Sequence, residues 1–124
     1  MASSQAPNIL AFKAGGVIAK GKAVKIGADA EHVVVCSSET DKSIGIAQNA
    51  STQAEDIMEI AMPNGGAKGL CAETIVAGDM LVAQASGDLG LSNGAGEHII
   101  AQALEDGVVG QLVACTVIKA ITQS

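Results

Sequence analysis

This chain carries nearly the same sequence pattern twice, and the order of the elements is kept. Three segments recur at offsets of 57, 56 and 55 residues: VIAKGKAV (17–24) as TIVAGDML (74–81), IGIA (44–47) as IAQA (100–103), and DIMEIAM (56–62) as QLVACTV (111–117). The small changes in offset place the insertions and deletions in loops. Two diverged halves that each form short strands indicate one β-structure closed on itself.

The chain is long enough for one domain, but its core must be built without large rings. Its 124 residues include one Phe and no Tyr or Trp, and aromatic side chains normally contribute the largest buried areas. A core of Val, Ile, Ala, Leu and Met relies on many small contacts. We therefore expect the folded chain to gain stability from oligomerisation or from docking on a larger partner.

Short apolar runs separated by turn residues predict strands throughout. Val33, Val34 and Val35 form the strongest β-branched run, while 15 glycines spread along the chain argue against long helices. The turn at residues 63–66 separates the halves. The predicted fold is all-β: a small single-domain β-barrel or sandwich, residues 15–124, with pseudo-repeats at about 15–64 and 70–119.

Residues 1–14 differ from the rest and are predicted to form an extended N-terminal arm. They are polar, contain Pro7, and end in the only bulky apolar cluster of the segment. Two interpretations stay open: a first strand packed on the barrel, or an arm that docks on a neighbour. For the second interpretation the candidate interface residues are Pro7, Asn8, Ile9, Leu10 and Phe12.

Charge and hydropathy exclude several partners. The net charge is −6 and the seven basic residues are not clustered, so there is no electrostatic footprint for nucleic acid. The chain has no apolar run of about 18 residues and so no predicted membrane span. Its first residues resemble no signal peptide. Cys36, Cys71 and Cys115 are widely spaced, and we expect buried, reduced thiols.

The sequence predicts neither an enzyme nor a cofactor or metal site. A Ser, Thr or Cys nucleophile needs a base within hydrogen-bond reach, yet the chain has only His32 and His98 and lacks a Gly-x-Ser-x-Gly elbow. The two histidines have no neighbouring ligand at metal-binding spacing. Gly21-Lys22 lacks the remaining residues of a phosphate-binding loop.

Two alternative functions stay open. Residues 39–43, ETDKS, resemble the turn that carries the modified lysine of lipoyl or biotinyl carrier domains, so Lys42 is a candidate acceptor. The glycine element that precedes the lysine in those domains is too far away here, because Gly21 lies 21 residues before Lys42. The other alternative is a small β-barrel ligand-binding module, which would need a lined pocket.

Across most of its length the chain resembles the capsid cement, or head decoration, proteins of tailed bacteriophages. The resemblance runs from about Gly15 to Ile118 and depends on four motifs in order: GKAV (21–24), TDKSIGIA (40–47), IVAGDML (75–81) and ALED (103–106).

The resemblance implies a structural virion protein, made in the host cytoplasm, that binds the outer surface of the expanded capsid. It implies a homotrimer at local three-fold axes that clamps neighbouring major capsid subunits, without catalysis. Members of the family carry an N-terminal arm that contacts the shell. The loops at Asn64 and Asn93 are further candidates for a subunit or lattice contact, or they face solvent.

Overall fold

The computed structural model is an all-β chain with a closed barrel and a second sheet, which confirms the predicted fold class. It describes residues 9–27, 29–38, 41–63, 65–92 and 97–122, of which 119–122 are described by their backbone alone. The elements are β1 (Ile9–Ala14), β2 (Ala23–Ile26), β3 (His32–Val35), β4 (Gly45–Ala47), β5 (Ile57–Ala61), β6 (Gly66–Leu70), β7 (Met80–Ala83), a 3₁₀ turn (Ala85–Gly87), β8 (Leu89–Leu91), β9 (His98–Ala103) and β10 (Leu112–Thr122).

The first half is a closed five-stranded barrel in the order β1-β3-β2-β4-β5. Only the β1–β3 pair is parallel, and it is short: Lys13 pairs with His32 and Ala14 with Val33. On its other side β1 pairs antiparallel with β5, from Ile9 opposite Ala61 to Lys13 opposite Ile57. Closure leaves the barrel with few free strand edges, which suits a small chain that must avoid edge-to-edge pairing.

The second half repeats this arrangement in the sheet β6-β10-β9-β7-β8. Its residue pairs follow the offsets read from the sequence, since Val24 opposite Val35 becomes Leu81 opposite Leu91. The seam between the first and third strands of this half is reduced to one parallel bridge, between Cys71 and Leu89. The register therefore shows that the duplication in sequence is a duplication of strand pairing.

Each half encloses the same seven interior positions, and all fourteen side chains are at most 1% exposed. In chain order they are Ala14, Ile18, Val24, Val33, Ala47, Met58 and Ile60 in the first half, and Cys71, Ile75, Leu81, Leu89, Ala103, Val113 and Cys115 in the second. Burying a Val, Leu, Ile or Met side chain contributes about 1.5–3 kcal/mol, so two small interiors together supply the core.

The halves fill their interiors with different residue sizes. The first half has Phe12 beside its interior cluster and the smaller Val33. The second half has Gly69 and the larger Leu89 at the equivalent positions, and a Cβ on Gly69 would lie 2.3 Å from the Leu89 side chain. Because protein interiors are close-packed, each half has one large side chain at these two positions, Phe12 in the first half and Leu89 in the second.

The halves also pack against each other, and that contact is asymmetric. The outward faces of β2, β4 and β5 carry Ala23, Ile46 and Ala61, which are fully buried in one cluster with second-half side chains. The equivalent outward positions of the second half are Met80, which is 39% exposed, and the half-buried Gln102 and Thr116. The first half therefore buries a face that the second half keeps open.

The last residues of the predicted arm form a strand. Of the two interpretations of its final residues, the structure shows the strand, because Ile9–Ala14 is β1 of the closed barrel. The hydrogen-bonding groups of an extended segment need partners, and β5 supplies them. Residues 1–8, and with them the candidates Pro7 and Asn8, lie outside the described residues, as do Asn64 and Asn93.

Candidate interaction surfaces

The described members of the predicted interface divide between surface and core. Ile9 is 40% and Leu10 is 54% exposed, so both present apolar area to solvent at the start of β1. Phe12 is half-buried and packs against the first-half interior. The structure therefore brings these three residues onto one strand, and of the three only Ile9 and Leu10 are exposed.

Beside Phe12 lies an open depression of about 310 Å³, here called the first-half depression. Its lining is mainly apolar, and Ile57 at its edge is 60% exposed. Six residues line it: Ala11, Phe12, Lys13, Ala30, Glu31 and Ile57. Lys13 and Glu31 form an ion pair with 3.5 Å between Nζ and Oε1. A shallow, largely apolar site with a charged border is typical of a contact surface for another protein.

His32 lies next to this depression and is held by two carboxylates. Its Nδ1 is 2.8 Å from Asp29 Oδ1, and its Nε2 is 2.8 Å from Glu55 Oε2. The side-chain hydrogen bond to Asp29, followed by the one to Glu55, raises the pKa of His32 above its usual 6.5. Both ring nitrogens donate only in the imidazolium, so this cluster favours a fixed positive charge between two turns.

A second open depression lies at the far end of the second half, next to the turn at residues 76–79. Gly78, Asp79, Met80, Leu91, Ser92 and Ile99 line it. In this turn, here called the second-half turn, the Asp79 carboxylate accepts a hydrogen bond from the Val76 N–H at 2.8 Å. Val76, with 56% exposure, Val108 and Val109 add apolar surface nearby. Contiguous exposed apolar patches often mark sites of interaction with other proteins.

Lys42, the candidate acceptor of the carrier alternative, lies in the loop between β3 and β4 with an exposed side chain. The preceding Asp41 is fixed by the Lys25 ammonium at 3.0 Å and by the Ser37 N–H at 2.7 Å. The Ser37 hydrogen bond is the larger cause that lowers the pKa of Asp41. Lys42 is thus accessible on an anchored loop.

The cysteines are placed for packing. Cys36, Cys71 and Cys115 are free and buried, and burial raises the pKa of Cys36 and of Cys115 to about 11. Thiols with raised pKa values are poor nucleophiles and poor ligands at neutral pH. Among the residues that the structure describes, no group of three His, Cys, Asp or Glu side chains is arranged to hold a metal ion. Within the same residues, no helix has the length and apolar character needed to cross a membrane.

Comparison with known proteins shows a likeness to a solved structure. No protein-family model matches the chain, and no curated protein matches its sequence. Among solved structures, it is similar to the head fibre gp8.5 N base of bacteriophage phi29, with a TM-score of 0.70 and 15% identity over 90% of this chain and 94% of that chain. The two chains share a fold. At this identity the likeness establishes the architecture rather than the activity.

Sequence reasoning missed Ile57, Lys13 and the second-half turn as surface features. Ile57 looks like any strand residue in an alternating run, and its exposure follows from what packs on its outer side. A signal did exist in the duplication: Ile57 aligns with Leu112, and the turn at 76–79 aligns with residues 19–22. Comparing the environments of aligned residues, rather than their identities, would have found both surfaces.

Proposed function

We propose that this chain is a structural protein of a tailed-bacteriophage virion. In this role it binds the outer surface of the expanded capsid as a homotrimer at local three-fold axes and clamps neighbouring major capsid subunits. The observation that carries the proposal is the fold shared over 90% of the chain with a phage head fibre base. The order of the four motifs along both halves supports the narrower cement role.

The physical properties of the chain suit this role. A protein that binds the expanded lattice and not its precursor stabilises the expanded state by its differential affinity. Many copies on one lattice also make weak single contacts effective. The exposed apolar residues Leu10 and Ile57, and the valines around Val108, offer surface for such contacts. The role needs no catalysis, and the buried thiols and the carboxylate-bound His32 are in keeping with that.

The test is co-sedimentation of the purified chain with decoration-free capsids of the phage that encodes it. We expect saturable binding to expanded shells and no binding to unexpanded procapsids, with a stoichiometry that follows the number of local three-fold axes. Procapsids serve as the matched control because they present the same subunits in a different lattice. Equal binding to both shells, or to neither, would refute the cement role.

An intact mass measurement separates the carrier alternative from the structural one. A carrier would gain a lipoyl or biotinyl mass when it is produced with the modifying enzymes, and Lys42→Arg would abolish the gain. We expect the same unmodified mass for wild type, and for Lys42→Arg after correction for the substitution. We also expect Lys42→Arg to bind expanded shells as wild type does.

A further inference from the structure

One part of the contact between the two halves is a turn that packs on a surface here called the seat. The turn is residues 19–22 of the first half, and the seat is formed by Leu70 and Leu112 of the second. The Leu70 N–H donates to the Gly21 carbonyl at 3.0 Å, and a Cβ on Gly21 would lie 2.6 Å from the Leu112 side chain. The Lys22 ammonium forms an ion pair with the Asp88 carboxylate at the same place. Gly21 is buried in this contact, and the neighbouring atoms leave no space for a side chain on it.

The equivalent turn of the second half has the same backbone and no seat. Gly78 aligns with Gly21, and their φ angles are +95° and +90°. Both turns close with the same hydrogen bond, from Lys22 N–H to the Ala19 carbonyl and from Asp79 N–H to the Val76 carbonyl. A Cβ on Gly78, however, would meet nothing within 4 Å. The second-half turn therefore has the shape of the docked turn, and the space beside Gly78 is open.

The first-half depression is the equivalent of the seat. Lys13 aligns with Leu70, and Ile57 aligns with Leu112, because each of these residues pairs with the other in its own half. Ile57 is 60% exposed, whereas Leu112, covered by residues 19–22, is half-buried. The first-half depression is therefore exposed, whereas the equivalent surface of the second half is covered by residues 19–22.

The charged residues at the two places differ. In the docked contact a cation on the turn, Lys22, meets an anion beside the seat, Asp88. At the aligned positions the open turn carries an anion, Asp79, and the depression carries His32, whose ring nitrogens lie 2.8 Å from carboxylate oxygens of Asp29 and Glu55. Lys13 is paired with Glu31 at the same surface. The basic groups of the depression are therefore already paired with its own carboxylates, and a contact with the turn has to come from apolar packing.

We propose that the second-half turn of one copy docks in the first-half depression of a second copy. The intermolecular contact is looser than the one inside the chain for two reasons. The Lys13 N–H already donates to the Glu31 carbonyl at 2.8 Å and closes the barrel seam, so it is not open to a partner. Glu31 also stands where the second half has Gly87, and its side chain, 73% exposed and ion-paired with Lys13, has to move when the partner's turn enters. Side-chain packing on Ile57 carries the contact.

Each copy offers one free turn and one free depression, so the contact is head-to-tail. A heterologous contact closes into a ring when its rotation permits and otherwise extends as a filament. The inference deepens the self-association in the proposed function, because a closed trimer would place six related halves around one axis. It does not depend on what surface the ring binds.

Cross-linking tests the direction of the contact in the intact protein. Two single variants, Ala30→Cys and Ala77→Cys, place thiols in the depression and beside Gly78 while Ile57 is kept, and the native thiols are buried. With a short bis-maleimide, we expect a cross-linked dimer when the two variants are mixed, and little from either variant alone. Cross-linking within either variant alone at the same yield would indicate a two-fold contact and overturn the proposal.

Light scattering after size exclusion tests the strength of the contact. We expect concentration-dependent association of wild type, and a dissociation constant raised about tenfold or more in Ile57→Glu, since a charge then enters an apolar contact. Val17→Glu, at a site that is 71% exposed and lines neither depression, should associate as wild type does. A chain that stays monomeric at every concentration, or an unchanged Ile57→Glu, would overturn the proposal.

The two proposals fail separately. A monomer that still binds expanded shells would overturn the head-to-tail contact and leave the virion role standing. A head-to-tail oligomer that ignores the shells would support the contact and refute the virion role.

Discussion

The substitution Gly45→Ala tests whether the first barrel is as tightly closed as its geometry indicates. Gly45 lies in β4, and an added Cβ would lie 2.2 Å from the Ala61 carbonyl oxygen and 2.8 Å from Ile60 Cγ2. Real Cβ atoms do not approach heavy atoms this closely, so β4 and β5 must separate. That movement would disturb the Ile46–Ala61 pair next to the site. The aligned position in the second half is a buried alanine, Ala101.

The magnitude follows from two opposing effects. Overpacking a closed interior costs about 1–3 kcal/mol, and the upper end applies because the obstacle is backbone. Alanine also reduces the entropy of the unfolded chain, which returns about 0.4–1 kcal/mol. The net loss is about 2 kcal/mol, and for a chain of this size it lowers Tm by about 8 °C.

The assay is thermal and urea unfolding followed by circular dichroism, with Gly66→Ala as the matched control. Gly66 also lies in a strand, and a Cβ there would meet nothing within 4 Å, so its Tm should equal or slightly exceed that of wild type. A Gly45→Ala variant with a wild-type Tm would refute the reasoning. It would mean that β4 and β5 separate at no cost and that the barrel is not closed as described.

Three further predictions concern charge, thiols and core. The carboxylate partners raise the pKa of His32, so the stabilising contribution of the protonated ring is present below pH 6.5 and is lost as the pH rises through the raised pKa. In His32→Gln the midpoint of urea unfolding should therefore change less with pH over that interval, and the same pH dependence as in wild type would contradict the pairing. Cys36 and Cys115, with pKa values of about 11, should react with a thiol reagent at pH 8 only as fast as the chain unfolds, and rapid labelling of the folded chain would show that they are accessible. Leu89→Ala should cost about 2–5 kcal/mol of unfolding free energy, whereas Val109→Ala should change it by less than about 0.5 kcal/mol; similar values in denaturant titrations would show that Leu89 is not in the core.

The candidate surfaces were only partly accessible from the sequence. Ile9 and Leu10 stand out because they are bulky apolar residues in a polar segment, and both are exposed in the structure. Phe12 stands out in the same way, yet it packs against the barrel interior, because β1 alternates between faces and position 12 points inward. The exposure of Ile57 has no local signal, since it depends on the absence of a neighbour that its counterpart Leu112 possesses.

Strand boundaries show the same limit. The sequence predicts a turn over residues 63–66, but Gly66 already belongs to β6, which runs from Gly66 to Leu70. Gly69 fits that strand because Leu89 fills the space that its side chain would need. A residue that weakens a strand in isolation is required here by a contact from a different strand.

The sequence by itself determined that the chain is all-β, that it contains two halves, and which residues correspond between them. Those properties follow from local periodicity and from a repeat that can be read without coordinates. Only the tertiary structure decided that residues 9–14 complete a barrel. It also decided that the first half buries its outward face, whereas the second half leaves the equivalent face open. The physical reason is that burial on an outward face is set by what packs against it, and two aligned residues with similar local patterns, such as Gly21 and Gly78, differ only in that neighbour.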